Sequence, residues 1–205
     1  HGGGKRISNQ LNKLGIKSQF IKGLRVTGKE TMEVVEKVLI EFNKEIIESL
    51  KQQSCNSQTI NSKENNIITA IQENAELGFV GKPTKIKKSI IDKIVVEKKV
   101  PVIAPLGLDD NNQTFNINAD TAAGSIAKEI KARRLIIMSD VEGVLDNNKK
   151  LIPEINSNSI KDLIDNETIT GGMIPKINNC LDVASNGVKG VVVIDGRKNH
   201  SILFE

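Results

Sequence analysis

The chain opens on His1-Gly2-Gly3-Gly4, directly ahead of an amphipathic stretch carrying Ile7, Leu11 and Leu14. Consecutive glycines before a helix expose backbone N–H groups and let the chain approach an anion closely, and the helix dipole adds a favourable potential. A plain flexible turn has the same composition, so this segment alone leaves both readings open. It is neither a Walker loop nor a dinucleotide fingerprint, because the spaced glycines and the Gly-Lys-Ser/Thr ending are missing. A second segment, Gly23-Leu24-Arg25-Val26-Thr27, sets an arginine between apolar neighbours in a loop before a helix. A guanidinium there can hold a carboxylate or phosphate through two parallel hydrogen bonds, a geometry lysine cannot reproduce. A surface ion pair is the other role open to such a residue.

A third segment, Asn116-Ile117-Asn118-Ala119-Asp120, brings two amides and a carboxylate to the entrance of a helix of small residues. Asp120 is also a fitting helix cap, and Asn116 and Asn118 are also ordinary turn residues. Two further loops suit a nucleotide: Ser139-Asp140-Val141-Glu142-Gly143-Val144-Leu145 after a strand, and Thr170-Gly171-Gly172-Met173-Ile174-Pro175-Lys176 before a helix. The first offers a hydroxyl, carboxylates and a flexible backbone, the second a glycine pair with a lysine one turn on. A nucleophile triad is disfavoured, since His1 and His200 are the only histidines and neither sits in a Ser or Cys motif. Cys55 and Cys180 are too far apart in sequence for a metal cluster and too few for a disulfide framework, and read as free thiols.

The elements that must position these loops follow from apolar periodicity. Val34, Val35, Val38, Leu39, Phe42, Ile46, Ile47 and Leu50 predict an amphipathic helix over Thr31 to Leu50. Ile86, Ile90, Ile91 and Ile94 predict another over Lys85 to Glu97, with its lysines on a solvated face. Apolar runs at Val100 to Leu106, Leu135 to Met138 and Val191 to Ile194 predict strands buried on both faces, with helices over Thr121 to Ile130 and Lys176 to Ala184 between them. Such alternation implies a mostly parallel sheet covered on both sides, with ligands at the carboxyl ends of its strands. No solenoid-period repeat or linker breaks the pattern, so the chain reads as one folding unit carrying two functional halves.

At 205 residues and 22.4 kDa the chain is long enough to bury a sizeable core. Hydrophobic residues make up 38% and charged residues 26%, which argues against disorder. No apolar run approaches the roughly 20 residues of a membrane span. A cytoplasmic location is expected. The excess of 29 basic over 25 acidic residues gives only +4, and aromatic content is 2%, all Phe, so the stacking platform of a single-strand nucleic-acid binder is missing. Neither nucleic acid nor membrane is expected as a partner. The chain begins on His1 rather than a methionine, which reads as a piece of a longer polypeptide.

Taken in order, the segments HGGG at His1, GLRVT at Gly23, TMEVVEKVL at Thr31, NK at Asn43, LGFVG at Leu77, PVIAPLG at Pro101, NINADTAAG at Asn116, SDVEGVL at Ser139, GGMIPK at Gly171 and IDGRKNH at Ile194 closely resemble the acetylglutamate kinases of the amino acid kinase family. The resemblance implies a three-layer αβα sandwich with a mostly parallel central sheet. It also implies a substrate-binding half over residues 1–120 and an ATP-binding half over 121–205. The implied reaction moves the γ-phosphoryl of ATP onto the side-chain carboxylate of N-acetyl-L-glutamate, on the route to arginine. Carried over by position, Gly3 and Gly4 would meet the substrate and the transferring group through backbone N–H, Arg25 would pair with the substrate α-carboxylate, and Asn116 would bind its polar groups. Asp120 would hold the catalytic lysines, and Lys176 would stabilise developing charge. Asp140, Val141, Glu142, Gly143, Val144 and Leu145, with Thr168, Ile169 and Thr170, would hold the nucleotide. Mg2+ would arrive with ATP, bound mainly by its phosphates, so no protein metal ligand is expected. A homodimer is expected.

Two departures accompany the resemblance. The family's usual Gly-Lys-Asp-Gly loop is replaced over Ser57 to Asn65, which keeps Lys63 and loses both glycines. The family's first strand, with its glycine pair and an early phosphoryl-site lysine, is expected upstream of His1, so that the fold reads as truncated there. The alternatives are a catalytically incomplete fragment that still binds nucleotide or acetylglutamate, or another member of the amino acid kinase family.

Overall fold

Leu11 and Leu39 have almost no solvent exposure, and the reason is local sequence. Helix α1 (Gly4–Lys13) sets Ile7 and Leu11 on one stripe, and α2 (Lys29–Gln52) answers with Met32, Val35, Val38 and Leu39. These stripes close over Ala104 and Leu106 to form one apolar cluster. Each Leu or Ile buried this way contributes roughly 1.5–3 kcal/mol. The computed structural model describes residues 1–204 apart from 147, 149 and 170–172. It divides into a unit over His1–Ile126 and a unit over Ala127–Glu205.

In the first unit, β1 (Phe20–Ile21) and β2 (Leu24–Arg25) form a two-residue hairpin between α1 and α2. Lys22 and Gly23 both take positive φ (49° and 81°), which the twist of a tight hairpin favours. After α2 come β3 (Ser57–Ile60), β4 (Ile68–Gln72) and β5 (Gly81–Ile86), then α3 (Lys88–Val96), β6 (Val100–Ile103), β7 (Leu106–Leu108) and β8 (Thr114–Asn116). β3 pairs in parallel with β6. The other four form a sheet in the order β5-β4-β7-β8, with β4 antiparallel to β5 and parallel to β7, and β7 antiparallel to β8.

The continuous strand expected over Val100 to Leu106 is therefore two strands serving two ladders. Pro105 lies at the break, where it cannot donate a backbone hydrogen bond. The helix expected from Lys85 starts instead at Lys88, because Lys85 and Ile86 are taken up by pairing with Thr69 and Ile68. The alternation is less uniformly parallel than the sequence suggests, since two hairpin-like pairings flank the parallel β4–β7 contact.

Helix α4 (Ala119–Glu129) runs across the division into the second unit, where β9 (Arg134–Ser139) and β10 (Gly190–Asp195) pair in parallel over their whole length. Between them lie α5 (Ser157–Asp165) and α6 (Met173–Ser185). Val144, Ile160, Ile169 and Ile177 form one apolar cluster of this unit, and Ala127, Val183 and Val188 another. Among the described residues, no helix is long and apolar enough to cross a membrane.

Candidate functional site

A cavity of about 200 Å³ in the first unit is lined by Gly3, Gly4, Arg25 and Asn116, the four positions expected to bind substrate. Its size suits a small metabolite rather than a whole nucleotide, given that pockets for drug-sized ligands run from roughly 300 to 1,000 Å³. They reach the cavity from three places in the fold, Gly3 and Gly4 from the start of α1, Arg25 from β2 and Asn116 from β8, so the site depends on the fold rather than on one loop.

The glycine run is held from outside. The His1 backbone nitrogen donates to the Ile103 carbonyl at 3.0 Å, the Asn43 amide lies 3.1 Å from His1 Nε2, and the His1 ring packs edge-on against Phe42. Asn43 is fully buried and also donates to the Val102 carbonyl at 3.0 Å, and its Oδ1 accepts from the Thr59 hydroxyl. Gly3 then caps α1 without any side-chain bond to the helix amides. The first-turn N–H groups stay available to an anion at the positive end of the helix. Gly3 is dictated by packing rather than by conformation: a Cβ there would lie 2.7 Å from Leu39 Cδ2.

Arg25 is 8% exposed, at the end of β2. Its guanidinium donates to Ser18 Oγ at 2.6 Å, Ser8 Oγ at 2.8 Å and the Gly4 carbonyl at 3.1 Å, and lies 4.6 Å from the Phe20 ring centroid. These partners are neutral. Burial, with no acidic partner among the described residues, pulls the Arg25 pKa below its ordinary value, the sign expected for a cation short of solvation. An incoming carboxylate would supply a countercharge.

Asn116 ends β8, half-buried, with its backbone N–H on the Phe79 carbonyl at 2.9 Å. Its amide Nδ2 donates to Thr27 Oγ1 at 3.2 Å, and the Thr27 hydroxyl donates in turn to the Arg25 carbonyl at 2.8 Å. Asn118, rather than Asp120, caps α4: its Oδ1 accepts from the N–H groups of Asp120 at 3.0 Å and Thr121 at 3.1 Å. Asp120 sits within the helix's first turn, half-buried.

The altered loop after β3 is built around two side chains. Asn61 is buried, and its Oδ1 accepts from the N–H groups of Lys63 at 2.8 Å and Glu64 at 2.9 Å, so an asparagine turn replaces the missing glycines. Glu36 of α2 accepts from Ser62 at 2.6 Å and Thr114 at 2.9 Å, with Lys63 Nζ at 3.3 Å. Burial pushes the Glu36 carboxyl up, but the two hydroxyl bonds and the Lys63 ammonium outweigh it and leave it below its usual value.

The expected nucleotide residues lie in the second unit. Asp140 to Leu145 follow β9 at its carboxyl end, with Asp140 and Glu142 exposed. Val144 and Ile169 turn into the apolar cluster with Ile160 and Ile177, so only their backbone is open to a ligand. Gly143 has φ of 144°, and a Cβ there would lie 2.8 Å from Leu151 Cδ1. The Thr168 N–H donates to Asn166 Oδ1 at 3.1 Å. Lys176 stands half-buried in the first turn of α6. Thr170, with Gly171 and Gly172, lies outside the described residues. Beside the 140–145 loop, Asp195 takes two bonds from the Arg197 guanidinium at 2.9 Å each, and Lys198 meets Glu142 at 2.5 Å. Among the described residues, no cluster of three or more His, Cys, Asp or Glu could hold a metal ion.

Thr27 lies within the Gly23 to Thr27 segment, but its sequence gives no sign of a link to Asn116, and Ser8 and Ser18 carry no periodic or motif signal at all; only the fold reveals that these hydroxyls touch Arg25.

The sequence profile of the Amino acid kinase family matches residues 1–195. An acetylglutamate kinase from Pelagibacter ubique is 69% identical over all 205 residues, which span 71% of that protein. One from Rhodopseudomonas palustris strain BisB18 is 41% identical, with the whole chain matching 74% of it. The solved structure of smu.665 from Streptococcus mutans UA159 superposes with a TM-score of 0.89 at 33% identity, covering 95% of this chain and 80% of that one. The profile match and the 69% identity over the whole chain establish that this chain belongs to the amino acid kinase family and groups within it with the acetylglutamate kinases.

Proposed function

We propose that the chain is an acetylglutamate kinase, transferring the γ-phosphoryl of Mg2+·ATP to the side-chain carboxylate of N-acetyl-L-glutamate in arginine biosynthesis. A carboxylate oxygen attacks the γ-phosphorus, the bond to the β-phosphate oxygen breaks, and ADP leaves as an acyl phosphate forms. No proton moves, because the nucleophile is already ionised at neutral pH. Catalysis then rests on alignment and on neutralising charge over the phosphoryl oxygens, for which lysines and glycine N–H groups suffice.

The observation that carries this reading is Arg25: a buried guanidinium whose partners are neutral, in a cavity also lined by Gly3, Gly4 and Asn116. A dicarboxylate with an amide fits that set, with the α-carboxylate on Arg25, the amide on Asn116 and the reacting carboxylate toward the glycine N–H groups. We assign residues 1–120 to substrate binding and 121–205 to ATP. Lys176 stabilises the charge of the transferring group, and Asp120 orients the ammonium groups that serve it. The backbone from Asp140 to Leu145 and Thr168 to Thr170 receives the nucleotide. Mg2+ is carried in by the phosphates. The same proposal places the enzyme in the cytoplasm as a homodimer, the commonest closed symmetry of homo-oligomers.

The test is acetylglutamate-dependent ADP release, with hydroxylamine added to trap the acyl phosphate as a hydroxamate. Glutamate, aspartate and carbamate serve as competing acceptors. Hydroxamate formed with N-acetyl-L-glutamate in preference to the others supports the assignment. Equal or greater turnover of another acceptor would replace it.

A further inference from the structure

We infer that Thr27 is a positioning residue that sets the Asn116 amide and ties it to Arg25, so that the cavity presents a hydrogen-bond acceptor to the substrate's acetamido N–H. The inference rests on the proposed substrate. Thr27 has no solvent exposure, and its hydroxyl has one hydrogen, which goes to the Arg25 carbonyl at 2.8 Å. The oxygen facing Asn116 at 3.2 Å must therefore accept. That requirement turns the Asn116 NH2 toward Thr27 and reserves Oδ1, on a residue lining the cavity, for a donor on the ligand. An asparagine with no such neighbour could present either end.

The backbone closes the same circuit. The Thr27 N–H donates to the Leu77 carbonyl at 2.9 Å, the Phe79 N–H to the Thr27 carbonyl at 2.7 Å, and the Asn116 N–H to the Phe79 carbonyl at 2.9 Å. Gly78 permits this approach: its φ is +67°, and a Cβ there would lie 2.4 Å from the Thr27 carbonyl oxygen. Thr27 thus joins the hairpin that carries Arg25 to the strand that carries Asn116, through one hydroxyl and its own peptide groups.

The experiment titrates the protein calorimetrically with N-acetyl-L-glutamate, with its ester analogue bearing oxygen in place of the acetamido N–H, and with Mg2+·ATP. Wild type, Thr27→Val and Thr27→Ser are compared, each checked by circular dichroism. Thr27→Val should weaken N-acetyl-L-glutamate about tenfold, leave Mg2+·ATP within about twofold, and narrow the preference for amide over ester, because Asn116 can then turn. Thr27→Ser should restore both affinity and preference. A folded Thr27→Val protein with unchanged affinity and preference overturns the inference, as does one in which all three ligands weaken alike. Should the valine variant not fold, Thr27→Ala is read by the same criteria against Thr27→Ser. Wild type that binds no N-acetyl-L-glutamate would instead overturn the substrate reading, and this inference with it.

Discussion

The Arg25 guanidinium donates to the carbonyl oxygen of Gly4 at 3.1 Å, which joins the hairpin β1–β2 to the first turn of α1. One side chain thereby fixes its own direction and the position of the amides beside it. Ser8 and Ser18 complete its coordination. Removing one partner of a buried charge pair costs about 2–5 kcal/mol, so Arg25→Ala is expected to weaken N-acetyl-L-glutamate at least about thirtyfold. Mg2+·ATP should bind nearly as before. Arg25→Lys should recover little, since an ammonium cannot reproduce the fork. Titration of both ligands checks this, and equal weakening of the two would remove Arg25 from the substrate site.

Gly78→Ala is expected to destabilise the first unit by at least about 2 kcal/mol. The added Cβ would meet a backbone carbonyl, which cannot rotate away as a side chain does. The positive φ adds strain for any residue with a Cβ. Urea unfolding of the variant beside wild type measures it. Gly4→Ala, whose Cβ would meet nothing within 4 Å, is the control and should leave the unfolding midpoint nearly unchanged.

Long-period features of this fold are legible in the sequence, and short-range polar features are not. Helix α2 exceeds its expected bounds by only two residues at each end, because its apolar stripe repeats over many turns. β9 and β10 are legible as apolar runs, although β9 is not buried on both faces as expected, since Met138 is exposed. β3 and β4 are not legible, because Ser57 to Ile60 and Ile68 to Gln72 are short and half polar, and their pairing is set by partners remote in sequence. Arg25 stands out because a lone arginine between apolar residues is unusual. Its dependence on Ser8, 17 residues away, and the link between Asn116 and Thr27, 89 residues apart, exist only once the chain is folded. The cap of α4 shows the same limit, since Asn118 and Asp120 are both good caps by type, and backbone geometry selects Asn118. Asn118→Ala should cost about 1 kcal/mol in urea unfolding, and Asp120→Ala much less by this route.

Lys176 is expected to act on the transition state rather than on ground-state binding. Interactions that strengthen only as charge spreads over the phosphoryl group appear in kcat. Lys176→Ala should therefore lower kcat by orders of magnitude while the Kd of each ligand moves by no more than a few fold. Steady-state assays of the full-length protein paired with titrations separate the two effects. A change confined to KM would make Lys176 a binding residue.

Asp195 closes β10, and Arg197 returns to it with two guanidinium bonds and one from its backbone N–H, each 2.9 Å long. The Arg197 side-chain bonds, followed by that backbone bond, pull the Asp195 carboxyl down from its ordinary 3.8 to about 2. A carboxyl with a depressed folded-state pKa binds its proton more readily in the unfolded chain. Its stabilising contribution is complete above about pH 4 and disappears as pH falls through about 2. Asp195→Asn should therefore lower the unfolding midpoint near neutral pH, and its gap from wild type should shrink steadily between pH 4 and pH 2. Urea midpoints of both proteins across that range measure the gap. A difference that stays constant down to pH 2 would mean that packing around β10, rather than the ionised pair with Arg197, accounts for the effect of the substitution.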